Sequence, residues 1–228
     1  MTNDPISRIY ITTMIWLKPG AAPSLAQFRE QAQPVWNKYD LRVERALVCT
    51  GKGQLIGDNR HDLPDLIQII SLPSLEAFQR YAADPEYVRL AGERDAGIVR
   101  MTAVIGRPLD TSSLDPLSDS ALAARQYAVA FVRFQPDGAN GLDEFNRRAQ
   151  PLFRRHGMHV ETMVSVLKTV TPVGIPLSDF APERVVVFFL DEAAALKAYA
   201  LDPEYKALAP LRDSGLRSYD FFLGRSAS

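Results

Sequence analysis

From Ile9 to Leu17 apolar side chains occupy both positions of a two-residue alternation, with Ile9, Ile11, Ile15 and Leu17 on one face and Tyr10, Met14 and Trp16 on the other. Successive strand residues point to opposite faces, so the pattern predicts a strand whose sheet is covered on both sides. Tyr127 to Phe134 has the same character. The period then lengthens. Leu25, Phe28, Ala32 and Val35 recur at helical intervals behind Ser24 and Gln27, a capping-box spacing. Pro34 in this helix, and Pro151 in its counterpart, predict a kink or a broken turn, because proline removes a backbone hydrogen bond. Strands are predicted from Leu41 to about Cys49 and from Leu66 to Ile70, with a loop from Gly51 to Pro64 between them. Ser74 to Ala82 reads as a second helix. Asp84 and Pro85 then cap and open a further stretch that Gly97 ends, and Val99 to Ile105 reads as the last strand.

The same text is written twice. Moving the chain by 117 positions sets Arg8 on Arg125, Tyr10 on Tyr127, Phe28 on Phe145, Ala32-Gln33-Pro34 on Ala149-Gln150-Pro151 and Val43-Glu44 on Val160-Glu161. After one inserted residue the shift is 118, and Asp84-Pro85-Glu86-Tyr87 falls on Asp202-Pro203-Glu204-Tyr205, Arg94-Asp95 on Arg212-Asp213 and Gly106-Arg107 on Gly224-Arg225. Each copy predicts β-α-β-β-α-β, the α+β arrangement of four antiparallel strands with helices on one face known as the ferredoxin-like split βαβ. The expected organisation is a first repeat over 1–109, a Ser-, Asp- and Pro-rich linker over 110–124 and a second repeat over 125–228. Since the other sheet face is also apolar, the simplest packing sets one sheet against the other inside one molecule.

The pattern Tyr81-…-Asp84-Pro85-Glu86-Tyr87-…-Arg94 ending in Gly106, with its copy from Tyr199 to Gly224, resembles the family catalogued as domain of unknown function 1330, of the dimeric α+β barrel superfamily. The resemblance implies two tandem ferredoxin-like repeats packed as an intramolecular dimeric α+β barrel, a dimer fused into one chain. It also implies a superfamily containing cofactor-free monooxygenases, isomerases, cyclases and haem enzymes, among which architecture does not choose.

Composition narrows the function classes. Of 228 residues 46% are hydrophobic, and 26 basic residues balance 27 acidic ones, so no bulk field favours nucleic acid or an anionic membrane. The apolar run Val185 to Leu190 is too short to cross a bilayer. The polar start carries no secretory pattern, and Cys49 stands alone; both suit a reducing cytoplasm.

Residues that recur between copies are the candidates for chemistry. Glu44 and Glu161 suit general bases or anchors for a substrate donor; as residues of an edge strand they equally suit charges that discourage foreign pairing. Arg94 and Arg212 lie seven residues after Tyr87 and Tyr205, nearly two helical turns, so each pair shares a face. Such an arginine can hold a carboxylate or enolate, or it can simply complement the helix dipole. The expected pocket lies between helices and sheet in each half. Glu44, Glu161, Arg94 and Arg212 carry catalysis there, and Tyr10, Trp16, Tyr87, Tyr127 and Tyr205 bind substrate. His61, His156 and His159 show no metal-ligand spacing and no nucleotide fingerprint is present, so neither a metal nor another cofactor is expected. Arg147, Arg148, Arg154 and Arg155 cluster on one helix, as an anionic-ligand surface or a solvated face. Trp16 and Trp36 become Arg133 and Phe153 in the second copy, so the two pockets are equipped differently.

Two functions stay open at this point. One is an enzyme acting on a small organic acid or an aromatic or keto compound, in the manner of cofactor-free monooxygenases and isomerases. The other is a non-catalytic binding or scaffold protein. The expected partner is a small-molecule ligand, with neither nucleic acid nor membrane, on a monomeric pseudo-dimer or a homodimer of it.

Overall fold

The computed structural model describes residues 8–57, 61–110 and 126–227. All but Asp110 of the expected linker, and Arg125, lie outside the described residues. Two compact units emerge. The first comprises Met1–Val48, Pro64–Pro108 and Val166–Phe180, and the second Cys49–Leu63, Leu109–Ser165 and Ala181–Ser228.

In the first unit β1 (Ile9–Leu17) is flanked by β3 (Leu66–Leu72) and β4 (Ile98–Pro108), both antiparallel, and β2 (Arg42–Ile56) lies beyond β3. Helices α1 (Ala22–Lys38), α2 (Leu75–Ala82) and α3 (Pro85–Ala96) supply the apolar cover. Ile9 and Ile11 share a buried core with Leu25, Phe28, Val35, Trp36, Tyr81 and Leu90. In the second unit the same order recurs as β5 (Gln126–Phe134), α4 (Ala139–Arg155), β6 (Met158–Val173), β7 (Arg184–Leu190), α5 (Ala195–Leu201), α6 (Pro203–Gly215) and β8 (Leu216–Ser226). Ile9 pairs with Leu72, and Gln126 with Leu190, at equivalent places in the two ladders.

Local chemistry accounts for most ends. Ser74 Oγ accepts the Ala77 N–H at 3.1 Å, and Asp84 and Asp202 accept the Glu86 and Glu204 N–H groups at 2.9 and 2.8 Å, with proline next in each of the last two. The first helix departs from expectation. Its N-cap is Ala21 with no side-chain cap, because Pro23 suits the first turn and draws the start ahead of Ser24. Both long helices run on through Pro34 and Pro151.

The second strand of each half is longer than its sequence predicts, which is Leu41 to about Cys49 in one and Met158 to about Lys168 in the other. β2 continues through Gly51 and Gly53 to Ile56, and β6 reaches Val173. From Cys49 onward β2 belongs to the second unit, and from Val166 onward β6 belongs to the first. The hydrogen-bonded order β1-β3-β2-β8-β5-β7-β6-β4 returns to β1, the order of a closed eight-stranded antiparallel barrel. Each extension ends at a glycine with positive φ, Gly57 at 91° and Gly174 at 80°, a conformation that side-chain-bearing residues rarely adopt. Register slips fall between Val43 and Arg45 and between Val160 and Thr162, so Glu44 and Glu161 are the bulged residues of their strands.

Candidate functional site

Asp84 and Asp202 fix the starts of α3 and α6, and two turns on each helix presents a Tyr–Arg pair to the core. Arg94 Nη1 donates to the Tyr87 hydroxyl at 3.0 Å and Nε donates to Asp95 at 2.7 Å. Arg212 repeats this with Tyr205 and with Asp213, the latter at 2.6 Å from Nε. Both guanidinium groups also lie over phenylalanine rings of the long helix, Phe28 at 5.2 Å and Phe145 at 5.7 Å. Burial works against each charge, but the adjacent tyrosine and aspartate outweigh it, so both arginines are raised above the ordinary value and stay cationic.

Beside each pair is a cavity between helices and sheet. The first unit's holds about 100 Å³ and the second's about 420 Å³, the latter within the range of small-molecule sites. Small residues account for part of the difference. Where Ile11 and Thr13 stand in the first lining, Ala128 and Ala130 stand in the second, and Phe153 replaces Trp36. The larger cavity is apolar apart from Asn146, Lys197, Arg212 and the tyrosines 199, 205 and 219. Tyr199 is 5% exposed and its hydroxyl has no hydrogen-bond partner among the described residues. Its ring lies 4.3 Å from that of Tyr205. Burial raises the Tyr199 phenol well above its ordinary value, so it stays protonated and can donate.

The expected site residues separate into two groups. Tyr87 with Arg94, and Tyr205 with Arg212, line the two cavities. Glu44, Glu161, Tyr10, Trp16 and Tyr127 are absent from both linings. Strand alternation is the reason for three of them. Ile9 and Ile11, like Ala128, Ala130 and Val132, face the helices, so Tyr10, Trp16 and Tyr127 face the other way. Arg100 packs over the Trp16 ring at 4.0 Å, and Tyr127 is fully buried. Glu44, turned by its bulge, accepts the Ser71 hydroxyl at 2.5 Å; Ser71 accepts Arg8 Nε at 2.9 Å, and Arg8 pairs with Asp40 at 2.7 Å. Arg42 pairs with Asp40 at 3.2 Å. Glu161 is half-buried at the matching bulge. Tyr199 is the lining residue the sequence reasoning passed over, although it recurs as Tyr81 within the quoted motif.

The arginine cluster is substantially neutralised. Arg147 and Arg148 pair with Glu144 at 2.7 and 2.6 Å, and Arg155 pairs with Glu204 at 2.9 Å and Asp202 at 3.3 Å. His156 and His159 meet Asp202 and Asp191. Among the described residues no group of three or more His, Cys, Asp and Glu side chains could hold a metal ion. No helix among them is long and apolar enough to cross a membrane.

No family model matches the sequence, and no curated protein matches it. Solved structures do resemble the fold. An anthrone oxidase-like protein superposes with a TM-score of 0.61 at 12% identity, over 100% of this chain and 94% of its own. A mutant chlorite dismutase from Candidatus Nitrospira defluvii gives 0.61 at 9% identity, over 97% and 92%. A proposed monooxygenase from Lactobacillus acidophilus NCFM gives 0.57 at 11% identity, over 96% and 93%. At such identities the likeness shows a shared mixed α+β fold and leaves the chemistry to the site itself.

Proposed function

We propose that the second unit binds an aromatic compound carrying a carbonyl or phenolic oxygen and stabilises the oxyanion form of that oxygen, in support of cofactor-free oxidation or isomerisation. The observation that carries this reading is the apolar cavity of about 420 Å³ with a buried, unpartnered Tyr199 hydroxyl beside the Tyr205–Arg212 pair. A ring system fills the apolar volume. The Tyr199 O–H supplies a hydrogen bond, and the fixed Arg212 charge favours an enolate or phenolate over its neutral parent. The name of the anthrone oxidase-like neighbour is consistent with a fused aromatic ketone.

The test is thermal shift with anthrone and with 1-naphthol, followed by oxygen uptake with anthrone. Both ligands raise Tm by several degrees in the native chain, and Ala128→Phe, checked for folding by circular dichroism, removes the shift. Uptake above the spontaneous rate accompanies binding. Absence of any shift, or a shift untouched by Ala128→Phe, overturns the assignment of this cavity.

One observation favours a second reading, binding without turnover. Among the described residues the cavity lining includes no carboxylate and no histidine, so none of them supplies a conventional protein base there. Under that reading the ligands bind and oxygen uptake equals the spontaneous rate. We further propose that the chain acts as a monomeric pseudo-dimer or as a homodimer of it.

A further inference from the structure

A second cavity, of about 520 Å³, adjoins the first along Leu142, Asn146, Phe153, Phe188 and Tyr219. Its polar lining is different in kind: Asp110, Asp143, Asn146, Arg147, Gln150 and Arg184. Arg184 is 8% exposed, lies over the Phe134 ring at 5.0 Å, and donates through Nη1 to Asp143 at 2.5 Å. Asp143 supplies its only hydrogen bond among the described residues, so most of its guanidinium donors are left for another acceptor.

The fold does not require this ion pair. Leu66 and Ala26 stand at the corresponding places in the first half, where apolar residues serve equally well. Removing the Arg184 guanidinium from water is costly, and its pair with the exposed Asp143 is weak support for stability, so its presence in one half points to recognition. Charge balance indicates what is recognised. Arg184 is offset by Asp143, and Arg147 and Arg148 share Glu144, while Asp110 brings these charges into balance. A ligand carboxylate or sulfate finds no net positive charge here. A hydroxyl group both donates and accepts, and matches a lining that offers carboxylate and amide oxygens beside amide and guanidinium donors.

We propose that one ligand spans both cavities, with its aromatic body in the first and a neutral, hydroxyl-rich substituent such as a sugar in the second. The proposal rests on the aromatic site assigned above and adds the class of substituent that the ligand carries.

Calorimetric titration of the full chain with 1-naphthol, 1-naphthyl β-D-glucoside and 1-naphthyl sulfate tests it. The glucoside binds at least tenfold more tightly than naphthol, and the sulfate no more tightly than naphthol. Asp143→Asn, at an exposed carboxylate, brings the glucoside within about twofold of naphthol and tightens the sulfate severalfold by uncovering Arg184. Gln150→Ala gives a second, independent reduction of the glucoside's advantage should the first variant fold poorly. A glucoside no tighter than naphthol, or an advantage that survives both variants, overturns the spanning ligand. If naphthol binds and Ala128→Phe abolishes its binding in that case, the aromatic site stands and only the substituent is wrong. If no ligand binds, both readings fall.

Discussion

A buried hydroxyl without a partner costs about 1–3 kcal/mol, so Tyr199 is retained against a stability gradient unless a ligand uses it. Tyr199→Phe is therefore expected to leave the free protein as stable as before, or more stable by about 1 kcal/mol in denaturant unfolding. The same change weakens naphthol binding by about tenfold, one hydrogen bond's worth in a dry cavity. A variant less stable than its parent, with ligand affinity intact, shows the hydroxyl to be structural. Asp84 makes a different kind of claim. Hydrogen bonds from Lys38 first, then from Tyr39 and the N–H groups of Glu86 and Tyr87, hold its carboxyl down to about 2 against the opposing effect of burial. A carboxyl depressed in the folded state contributes stability that is complete above its unfolded value, near pH 4, and is lost as pH falls toward 2. The Tm difference between the native chain and Asp84→Asn should accordingly be constant from pH 6 to pH 5 and shrink below pH 4. A difference that persists to pH 2 removes the charge from the explanation.

At the scale of elements, alternation, capping and turn residues made most of the fold legible. Asp84-Pro85 and Asp202-Pro203 read correctly because their signals are local, and β3 because the run from Leu66 to Ile70 is apolar at all but Gln68. The ends of β2 and β6 were illegible for the opposite reason. Gly51 and Gly53 read as a loop, but pairing with β8, a partner far along the chain, overrides a weak local preference. Gly53 itself shows what the long-range contact demands. A Cβ there meets the Phe221 ring at 2.4 Å, whereas the corresponding positions of the other half carry Val170 and Ala103. Bulk has changed sides between the two pairs. Gly53→Val should cost about 1–3 kcal/mol by overpacking, and Phe221→Ala in the same chain should recover most of the loss. Additive losses in the double-mutant cycle exclude the exchange. The candidate site was only half legible. Seven-residue spacing is enough to unite Tyr205 with Arg212, but which sheet face Tyr10 and Trp16 look toward depends on which side the helices occupy. The opening of the cavity beside Tyr205 and Arg212 depends on absences, Ala128 and Ala130, that no motif marks.

Across the whole molecule, each unit is completed by the end of a strand from the other half of the sequence, β2 from Cys49 in one direction and β6 from Val166 in the other. Polypeptides covering 1–109 and 125–228, produced separately, each leave two strand edges that in the full chain are paired, β2 and β4 in one and β6 and β8 in the other. Unpaired edges invite association. Each fragment alone is expected to self-associate or aggregate, and the two mixed to form a one-to-one complex by size-exclusion chromatography with light scattering. Two well-folded monomeric fragments that ignore one another contradict the exchange. The interleaving also bears on how such a chain can change. Leu55, written in the first half, walls the cavity beside Tyr205 and Arg212, while Val170 and Pro172, written in the second, wall the one beside Tyr87 and Arg94. A substitution that retunes one half's own strand thus alters the ligand space of its neighbour, and the two copies can diverge only as a pair, each holding part of the other's inheritance.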